Sequence, residues 1–375
     1  RTHLEFTRRM ADLEGIPRTR WAHPLDFYRD REALGPVRES YSGELYFPQH
    51  RGTYTSQART KRANRQAETA LRELEFWAAL AAPLAGWRLP AETRTALWKD
   101  LLANHFPDII SGASIRRVHE EAVATLESVA NRAGELSREA ALALAAHPAA
   151  RTADSPPTSD RPPVGSPQSA GGLAVGNSLS WERTVLVDAG EGAAAWTDSQ
   201  GQALPAQIID GHSWVELDLP ACGWATILPS APAAPDAGRP PLAATVSATP
   251  AGDGFVLENS FLRVTIGGSG LVTGIFDKES GLEIAAGPCN EFHLYQDIPA
   301  NYDAWDIDSH YRDLPVDIGD GGARLCLIAA GPLVASIRLE RMVAGSRLVQ
   351  DIRLARRSRS LEFHTTIDWT EDHKL

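Results

Sequence analysis

Cysteine and methionine are scarce in this chain, and no run of apolar residues is long enough to cross a bilayer. The three cysteines, Cys222, Cys289 and Cys326, are odd in number and widely spaced, which argues against a disulfide framework. Small buried side chains with reduced thiols, as in a cytoplasmic protein, are the simplest interpretation. A transmembrane helix needs about 20 consecutive apolar residues, so we expect a soluble protein with no membrane partner.

Basic side chains are also outnumbered, with 37 lysines and arginines against 48 acidic residues and a formal net charge of -11. Such a surface repels nucleic acids and anionic lipids, which excludes both as partners. The GxSxG, HExxH, P-loop and paired CxxC motifs are missing as well, so several common enzyme and zinc-ribbon classes lack their usual markers. The composition, with 43% hydrophobic and 23% charged residues, is that of a globular protein. The length of 375 residues is enough for two or three domains.

Apolar residues recur at helical spacing in the first part of the chain, after a turn-rich connector at 1–42. Neither glycine nor proline occurs between Thr55 and Ala82. Helices are predicted at 55–82, 93–106 and 114–146, and Pro107 should end or kink the second. Because the links between them are short, the helices should pack as a small bundle in a domain at 43–150.

The pattern changes at a Pro-, Ser- and Gly-rich linker, 151–172, and becomes alternating and β-branched beyond it. We predict a small β domain at 173–230, a second linker at 231–252, and the start of a large β-sandwich domain at 253–375. The expected fold class is α+β, a three-helix bundle followed by antiparallel β-sandwich domains. Because the chain starts without methionine and stops on a strand-like run, we expect both ends to be cut and the last sandwich to be incomplete.

Paired carboxylates among aromatic side chains are typical of sugar hydrolysis, and one segment, Tyr302 to Asp308, has this composition. If the segment is a strand, Asp306 and Asp308 share one face while Trp305 points to the other. A solvated turn with a packed tryptophan explains the same residues.

A second polar segment, Gly43 to Ser56, combines a histidine, an arginine, two tyrosines and hydroxyl groups just ahead of the first bundle helix. Arg51 and Tyr54 are suitable hydrogen-bonding groups for a polyol. The simpler local interpretation is a helix N-cap, in which Thr55 or Ser56 accepts hydrogen bonds from the first free amide groups.

A third polar segment, Asn104 to Ser114, lies between the second and third helices. His105 and Asp108 could reach a metal ion or a sugar hydroxyl. One histidine and one aspartate do not make a metal site, however, and a cap or a structural hydrogen bond is the alternative. His119, near the start of the third helix, is predicted to lie on the surface.

Six segments follow one another along the chain: GELYFPQHRGTYTSQARTKRANRQAE (43–68), LLANHFPDIISGASI (101–115), VGNSLSWERT (175–184), LENSFLRVTI (257–266), GIFDKESGLE (274–283) and YDAWDID (302–308). In wording and in order they resemble glycoside hydrolase family 38, the α-mannosidases.

The resemblance implies retaining hydrolysis of α-mannosides, with an aspartate nucleophile and a Zn2+ ion that holds sugar hydroxyls. The nucleophile, the acid/base and most zinc ligands would belong to an N-terminal β/α barrel, which we expect to precede Arg1 and to be a partner domain. This chain would then carry no catalytic residue and would be inactive alone. The implied ligand is a mannose-containing glycan, and further copies of the chain are another expected partner. The sugar-binding residues expected here are Arg51, Tyr54, Asp108, Asp303, Trp305 and Asp306.

One zinc ligand that the family would draw from this part of the protein is missing. Where the family has Asn-Gln-Phe-His-Asp, this chain has Asn104-His105-Phe106-Pro107-Asp108. Proline cannot bind zinc, and His105 lies about 200° away around a helix that turns about 100° per residue. Three hypotheses stay open: part of an active α-mannosidase, a non-catalytic carbohydrate-binding or scaffold descendant, or an incomplete reading frame that is inert by omission.

Overall fold

The computed structural model describes residues 2–36, 39–42, 48–146, 172–231, 244–319 and 322–375. Residues 1–47 and 48–375 form two separate compact units. The first unit contains helices α1 (Thr2–Met10) and α2 (Pro24–Ala33). Helix α2 begins with a capping box, because His23 Nδ1 accepts a hydrogen bond from Leu25 N (3.2 Å) and Asp26 accepts one from His23 N (3.3 Å). None of the helices in the described part of the chain is long and apolar enough to cross a membrane.

The second unit starts with a 3-10 helix, Pro48–Tyr54, and the predicted helical bundle. The bundle helices are α3 (Ala58–Ala85), α4 (Ala91–Ala103), α5 (Pro107–Ile110) and α6 (Arg116–Ala146). The buried residues of α3 recur every three or four positions, and it ends at Gly86, whose left-handed φ of 72° suits glycine.

Helices α3 and α6 pack along each other in the same direction, and α4 lies against both. Thr60 near the start of α3 contacts His119 near the start of α6, whereas Trp77 of α3 packs with Ala140 and Leu144 towards the ends. His119 is therefore buried, with only 4% of its surface exposed, and the prediction that it lies on the surface is wrong. It faces α3 because its position falls on the apolar side of α6.

The predicted cap of α3 is also wrong. The helix starts at Ala58, and Gln57 occupies the cap position in a left-handed conformation without a side-chain cap bond. Pro107 begins α5 instead of ending α4 directly, which suits proline because the first helical residue needs no amide donor.

Seven strands form the first β unit as two antiparallel sheets, ordered β1-β7-β3-β4 and β2-β6-β5. Their bounds are β1 (Leu173–Asn177), β2 (Arg183–Glu191), β3 (Ala195–Asp198), β4 (Ala203–Leu204), β5 (Ala206–Ile209), β6 (His212–Leu219) and β7 (Gly223–Ser230). Trp196 of one sheet and Leu217 of the other belong to one buried core, which makes the unit a small sandwich.

Eleven further strands follow among the described residues, mainly as antiparallel sheets ordered β12-β11-β10-β9-β8 and β15-β16-β17-β18, with a small β13-β14 pair. Their bounds are β8 (Ser247–Ala251), β9 (Gly254–Glu258), β10 (Leu262–Ile266), β11 (Val272–Asp277), β12 (Leu282–Glu283), β13 (Leu294–Tyr295), β14 (Pro315–Val316), β15 (Arg324–Ala330), β16 (Val334–Val343), β17 (Ser346–Ala355) and β18 (Glu362–Asp368).

Burial alternates along β10, with Leu262, Val264 and Ile266 inside, and these residues share a core with Ile337 of the four-stranded sheet. The molecule is thus α+β, with a helical part followed by antiparallel sheets. Strand β8, which pairs with β9, lies within the linker expected at 231–252. Its short sequence was not recognised as a strand because the surrounding segment is rich in proline.

The two β units are joined by buried polar contacts. Gln207 of β5 accepts hydrogen bonds from Leu333 N and Val334 N, both at 2.8 Å. The Arg356 guanidinium and the Glu216 carboxylate form a buried, bidentate ion pair between the units. Such pairing fixes the relative position of the two units, because either charge would be costly to bury alone.

The three cysteines are free thiols. Cys289 and Cys326 are half-buried, but Cys222 is exposed, so the expectation of a buried side chain is wrong for Cys222. It lies in the connection from β6 to β7, which crosses from one sheet of the sandwich to the other, and it has a left-handed φ of 48°.

Candidate functional site

The 3-10 helix Pro48–Tyr54 meets the segment 302–308 through a close backbone contact at Gly52. Gly52 N donates a hydrogen bond to Trp305 O at 2.8 Å. A Cβ atom at Gly52 would lie 2.9 Å from Ala304 O and 3.1 Å from Trp305 C. Only glycine allows this approach without displacement of backbone atoms.

Side chains extend the same contact. Ser56 Oγ donates to Ala304 O at 2.9 Å, a bond between residues that lie 248 positions apart. The His50 ring stands edge-on to the half-buried Trp305 indole, with ring centroids 5.1 Å apart. Ser56 therefore contributes to tertiary structure, which explains why it does not cap α3.

The segment 302–308 is a tight turn and not a strand. Tyr302 and Ala304 have left-handed φ angles of 57° and 68°. Trp305 N and Asp306 N both donate to Tyr302 O, at 2.8 and 3.0 Å. Of the two alternatives that the sequence left open, the strand with Asp306 and Asp308 on one face is not formed, and the turn with a packed tryptophan describes the segment.

The carboxylates of this turn have different surroundings. Asp303 is exposed and accepts a hydrogen bond from Ala304 N at 3.1 Å, whereas Asp308 Oδ2 accepts one from Ala300 N at 2.9 Å. Asp306 is half-buried, and its Oδ1 atom is closed off from solvent without a hydrogen-bond partner among the described residues. An unpaired buried carboxylate oxygen keeps its capacity to accept a hydrogen bond.

A further acid, Asp297, adjoins this turn and was not identified from the sequence. Burial raises the pKa of Asp297, and the neighbouring carboxylates of Asp303 and Asp308 raise it further, against a smaller opposing effect of His373. The region around the turn is thus strongly acidic.

The junction between α4 and α6 also contacts Ser56, the residue that binds the 302–308 turn. Gly112, which has a φ of 91°, approaches Ser56 so closely that a Cβ atom would lie 2.5 Å from Ser56 O. Lys61 Nζ donates to Ser56 O at 2.6 Å, to Ile110 O at 2.9 Å and to Ser111 O at 3.2 Å. Ser56 is therefore the point at which three of the predicted segments meet.

The other predicted sugar contacts lie on these elements. Asp108 is exposed in the first turn of α5, two residues before Ile110. Arg51 is half-buried and Tyr54 is 62% exposed, and both belong to the 3-10 helix that holds Gly52. The fold thus places Asp108, Arg51 and Tyr54 on segments joined to the 302–308 turn.

The described residues around Pro107 do not by themselves fit a zinc site. His105 Nε2 lies 2.8 Å from Asn64 Oδ1 and 3.4 Å from Glu68 Oε1, so its ring is bound to α3 as a structural contact. Pro107 offers no ligand atom. Across the described ranges, no three His, Cys, Asp or Glu side chains are grouped to hold a metal ion.

Sequence reasoning missed Lys61, Gly112 and the true partner of Ser56. Lys61 lies between Arg59 and Arg62 in the first turns of α3, and nothing in its sequence neighbours distinguishes it from a solvated lysine. The one available signal is that Gly112 follows a helix-terminating segment, where a left-handed glycine is common.

Two family models match the chain. The alpha mannosidase middle domain matches residues 48–144, and the glycosyl hydrolases family 38 C-terminal domain matches residues 257–375. Together they cover more than half of the chain. The chain belongs to glycoside hydrolase family 38.

Curated relatives give the same class. The chain is 30% identical over its whole length to alpha-mannosidase 2C1 of Homo sapiens and covers 33% of that protein. It is 24% identical to alpha-mannosidase G of Dictyostelium discoideum, with 98% of this chain and 35% of that protein covered. The chain therefore spans about a third of the length of these relatives.

A solved structure shares the fold. A family 38 glycosyl hydrolase protein from Enterococcus faecalis superposes with a TM-score of 0.63 at 17% sequence identity, over 94% of this chain and 47% of that one. At this identity the likeness extends to the fold alone.

Proposed function

We propose that this chain is the helical middle and the following β part of a retaining α-mannosidase that acts on terminal α-mannosides of a glycan. One observation carries the proposal: the 3-10 helix, the α4–α6 junction and the 302–308 turn, which are far apart in sequence, converge at Ser56. The catalytic nucleophile and the acid/base would come from an N-terminal β/α barrel of the same protein. The free thiols favour a cytoplasmic location.

The chemistry of the side chains carried by the converging segments suits a sugar. Carboxylates accept strong hydrogen bonds from hydroxyl groups, and an indole face packs against the apolar face of a pyranose. The side chains that we assign to sugar binding are Arg51, Tyr54, Asp108, Asp303, Trp305 and Asp306.

Release of product from a chromogenic α-mannoside by the full-length protein tests the proposal. We expect turnover of the α-mannoside and none of the matched β-mannoside, at the same enzyme concentration. The assay is run without metal and with added Zn2+, because the family resemblance implies a zinc ion whose other ligands would come from the N-terminal barrel. An absence of α-mannoside turnover under every condition would contradict an active enzyme.

The second candidate, a non-catalytic carbohydrate-binding or scaffold descendant, is favoured by one observation, the proline at position 107 in place of a zinc-binding histidine. The substitution Pro107→His in the full-length protein separates the two. A large gain in zinc affinity and turnover would support loss of catalysis in the natural protein. No gain, with an active natural protein, would support the α-mannosidase.

A further inference from the structure

Lys61 makes an unusual set of contacts for a helical lysine. Its ammonium group donates to three main-chain carbonyl oxygens, those of Ser56, Ile110 and Ser111, at 2.6 to 3.2 Å. A lysine ammonium has three protons, so each can serve one of these acceptors. Burial lowers the pKa of Lys61, and no charged side chain in the described part of the chain contributes to that shift. Among the described residues, the half-buried ammonium group is thus held at this junction by three main-chain carbonyl groups.

Two of these acceptors belong to the element that carries Asp108. Ile110 O is the last carbonyl of α5, and Ser111 O follows it, so both lie where a helix leaves its carbonyl groups without internal partners. Lys61 supplies those partners and ties the end of α5 to α3.

The third acceptor, Ser56 O, belongs to a residue that also contacts the 302–308 turn. Ser56 O binds Lys61, while Ser56 Oγ binds Ala304 O in the turn that contains Trp305 and Asp306. Gly112 packs directly against Ser56, which leaves no space for an independent movement of the two backbones. Lys61 is thus linked to α5, which carries Asp108, and through Ser56 to the 302–308 turn.

We propose that Lys61 is a positioning residue that holds Asp108 and the 302–308 turn in register with each other, without touching the sugar. This inference rests on the proposed function, and it adds a residue that sequence reasoning did not single out. Lysine suits the task because its three donors diverge, whereas the guanidinium donors of arginine lie in one plane.

The test compares Lys61→Met with Lys61→Arg and with Lys99→Met, in the full-length protein. Methionine keeps much of the side-chain volume but removes all three donors. Lys99 is an exposed lysine on α4, and its replacement controls for loss of a helical lysine. We expect Lys61→Met to raise KM for an α-mannoside about tenfold with kcat little changed, as loss of ground-state and transition-state binding does. Lys61→Arg should recover part of the loss, and Lys99→Met should match the natural protein.

A purely structural role gives a different result. Destabilisation lowers the active fraction, and therefore the apparent kcat, and leaves KM unchanged. An unchanged KM in Lys61→Met, with an active natural protein, would overturn the positioning role and leave the proposed function standing. An inactive natural protein would instead overturn the proposed function.

Amide hydrogen exchange tests the coupling independently of turnover. In Lys61→Met we expect faster exchange both at Gly112, next to α5, and at Trp305 and Asp306, whose amides are hydrogen-bonded within the turn. Faster exchange at Gly112 alone would overturn the proposal, because it would show that Lys61 does not act across Ser56. Lys99→Met should alter neither region.

Discussion

Gly52 and Gly112 determine how closely the three segments of the site approach one another. A Cβ atom at Gly52 would meet the backbone of the 302–308 turn at 2.9 Å, and one at Gly112 would meet Ser56 O at 2.5 Å. Because each close neighbour is backbone and not a flexible side chain, a substitution can be accommodated only by separating the segments. The architecture of the site therefore depends on glycines as well as on charged groups.

Replacement of Gly112 by alanine should reveal this dependence. Its φ of 91° is strained for alanine and the new methyl group clashes with Ser56, so we expect Gly112→Ala to lower the free energy of unfolding by about 1–3 kcal/mol. Gly134→Ala is the matched control, since Gly134 lies in α6 with open space around it and should gain about 0.5–1 kcal/mol. Denaturant unfolding of both variants measures the difference. Equal effects of the two substitutions would contradict the close approach.

Asp351 should contribute to the pH dependence of the free energy of unfolding. Burial by itself raises the pKa of Asp351, but hydrogen bonds from Arg338 (2.7 and 3.0 Å) and Arg353 (2.8 Å) outweigh it, so the net pKa is lowered. A lowered folded-state pKa contributes stability above the unfolded-state value of about 3.9, and this contribution is lost as the pH falls through the folded-state pKa.

We therefore expect Asp351→Asn to reduce the free energy of unfolding by about 1–3 kcal/mol at neutral pH and to flatten its decline below pH 4. Unfolding midpoints from pH 2 to pH 7 check this prediction. Asp188→Asn is a comparison, because the pKa of Asp188 is lowered mainly by Gly190 N at an exposed site, where pairing contributes less. A variant at Asp351 that keeps the full acid dependence would show that other carboxylates cause it.

At the scale of elements, the helices were predictable, whereas the contacts between distant segments were not. The apolar spacing of α3, α4 and α6 is a local property, so their existence follows from the sequence. The role of Ser56 depends on Ala304, 248 residues away, and no local pattern contains that information. The same limitation applies to the 302–308 turn, whose left-handed residues Tyr302 and Ala304 carry no glycine signal in the sequence.

A separate prediction concerns the contact between the two β units. Arg356 and Glu216 are almost fully buried, with side-chain exposures of 4% and 9%. Glu216→Ala leaves a buried guanidinium without its partner, and we expect the free energy of unfolding to fall by about 3–5 kcal/mol. Arg357→Ala removes a half-exposed arginine of the same cluster and should cost about 1 kcal/mol or less. Comparable losses in the two variants would mean that the buried pair does not hold the units together.

At the scale of the whole molecule, the chain spans about a third of its curated relatives, and the function we propose depends on more than these residues. The order of helical and β parts, and the family, were predictable from six segments in order. Pro107 stands where the resemblance implies a zinc-binding histidine, and in the structure His105 contacts Asn64. The residues that join the segments, Lys61 and Ser56 above all, required the three-dimensional structure.

The most direct test of the central claim, that the helical junction and the 302–308 turn form one sugar-binding surface, uses Asp108→Asn and Asp306→Asn in the full-length protein. Asp100→Asn is the matched control, because Asp100 is an exposed aspartate of α4 that we place outside the site. The measurement is kcat/KM for a chromogenic α-mannoside. Loss of a charged hydrogen bond of about 1.5–3 kcal/mol predicts a decrease of roughly 10- to 100-fold in each site variant and no change in the control. Site variants that match Asp100→Asn would contradict the claim.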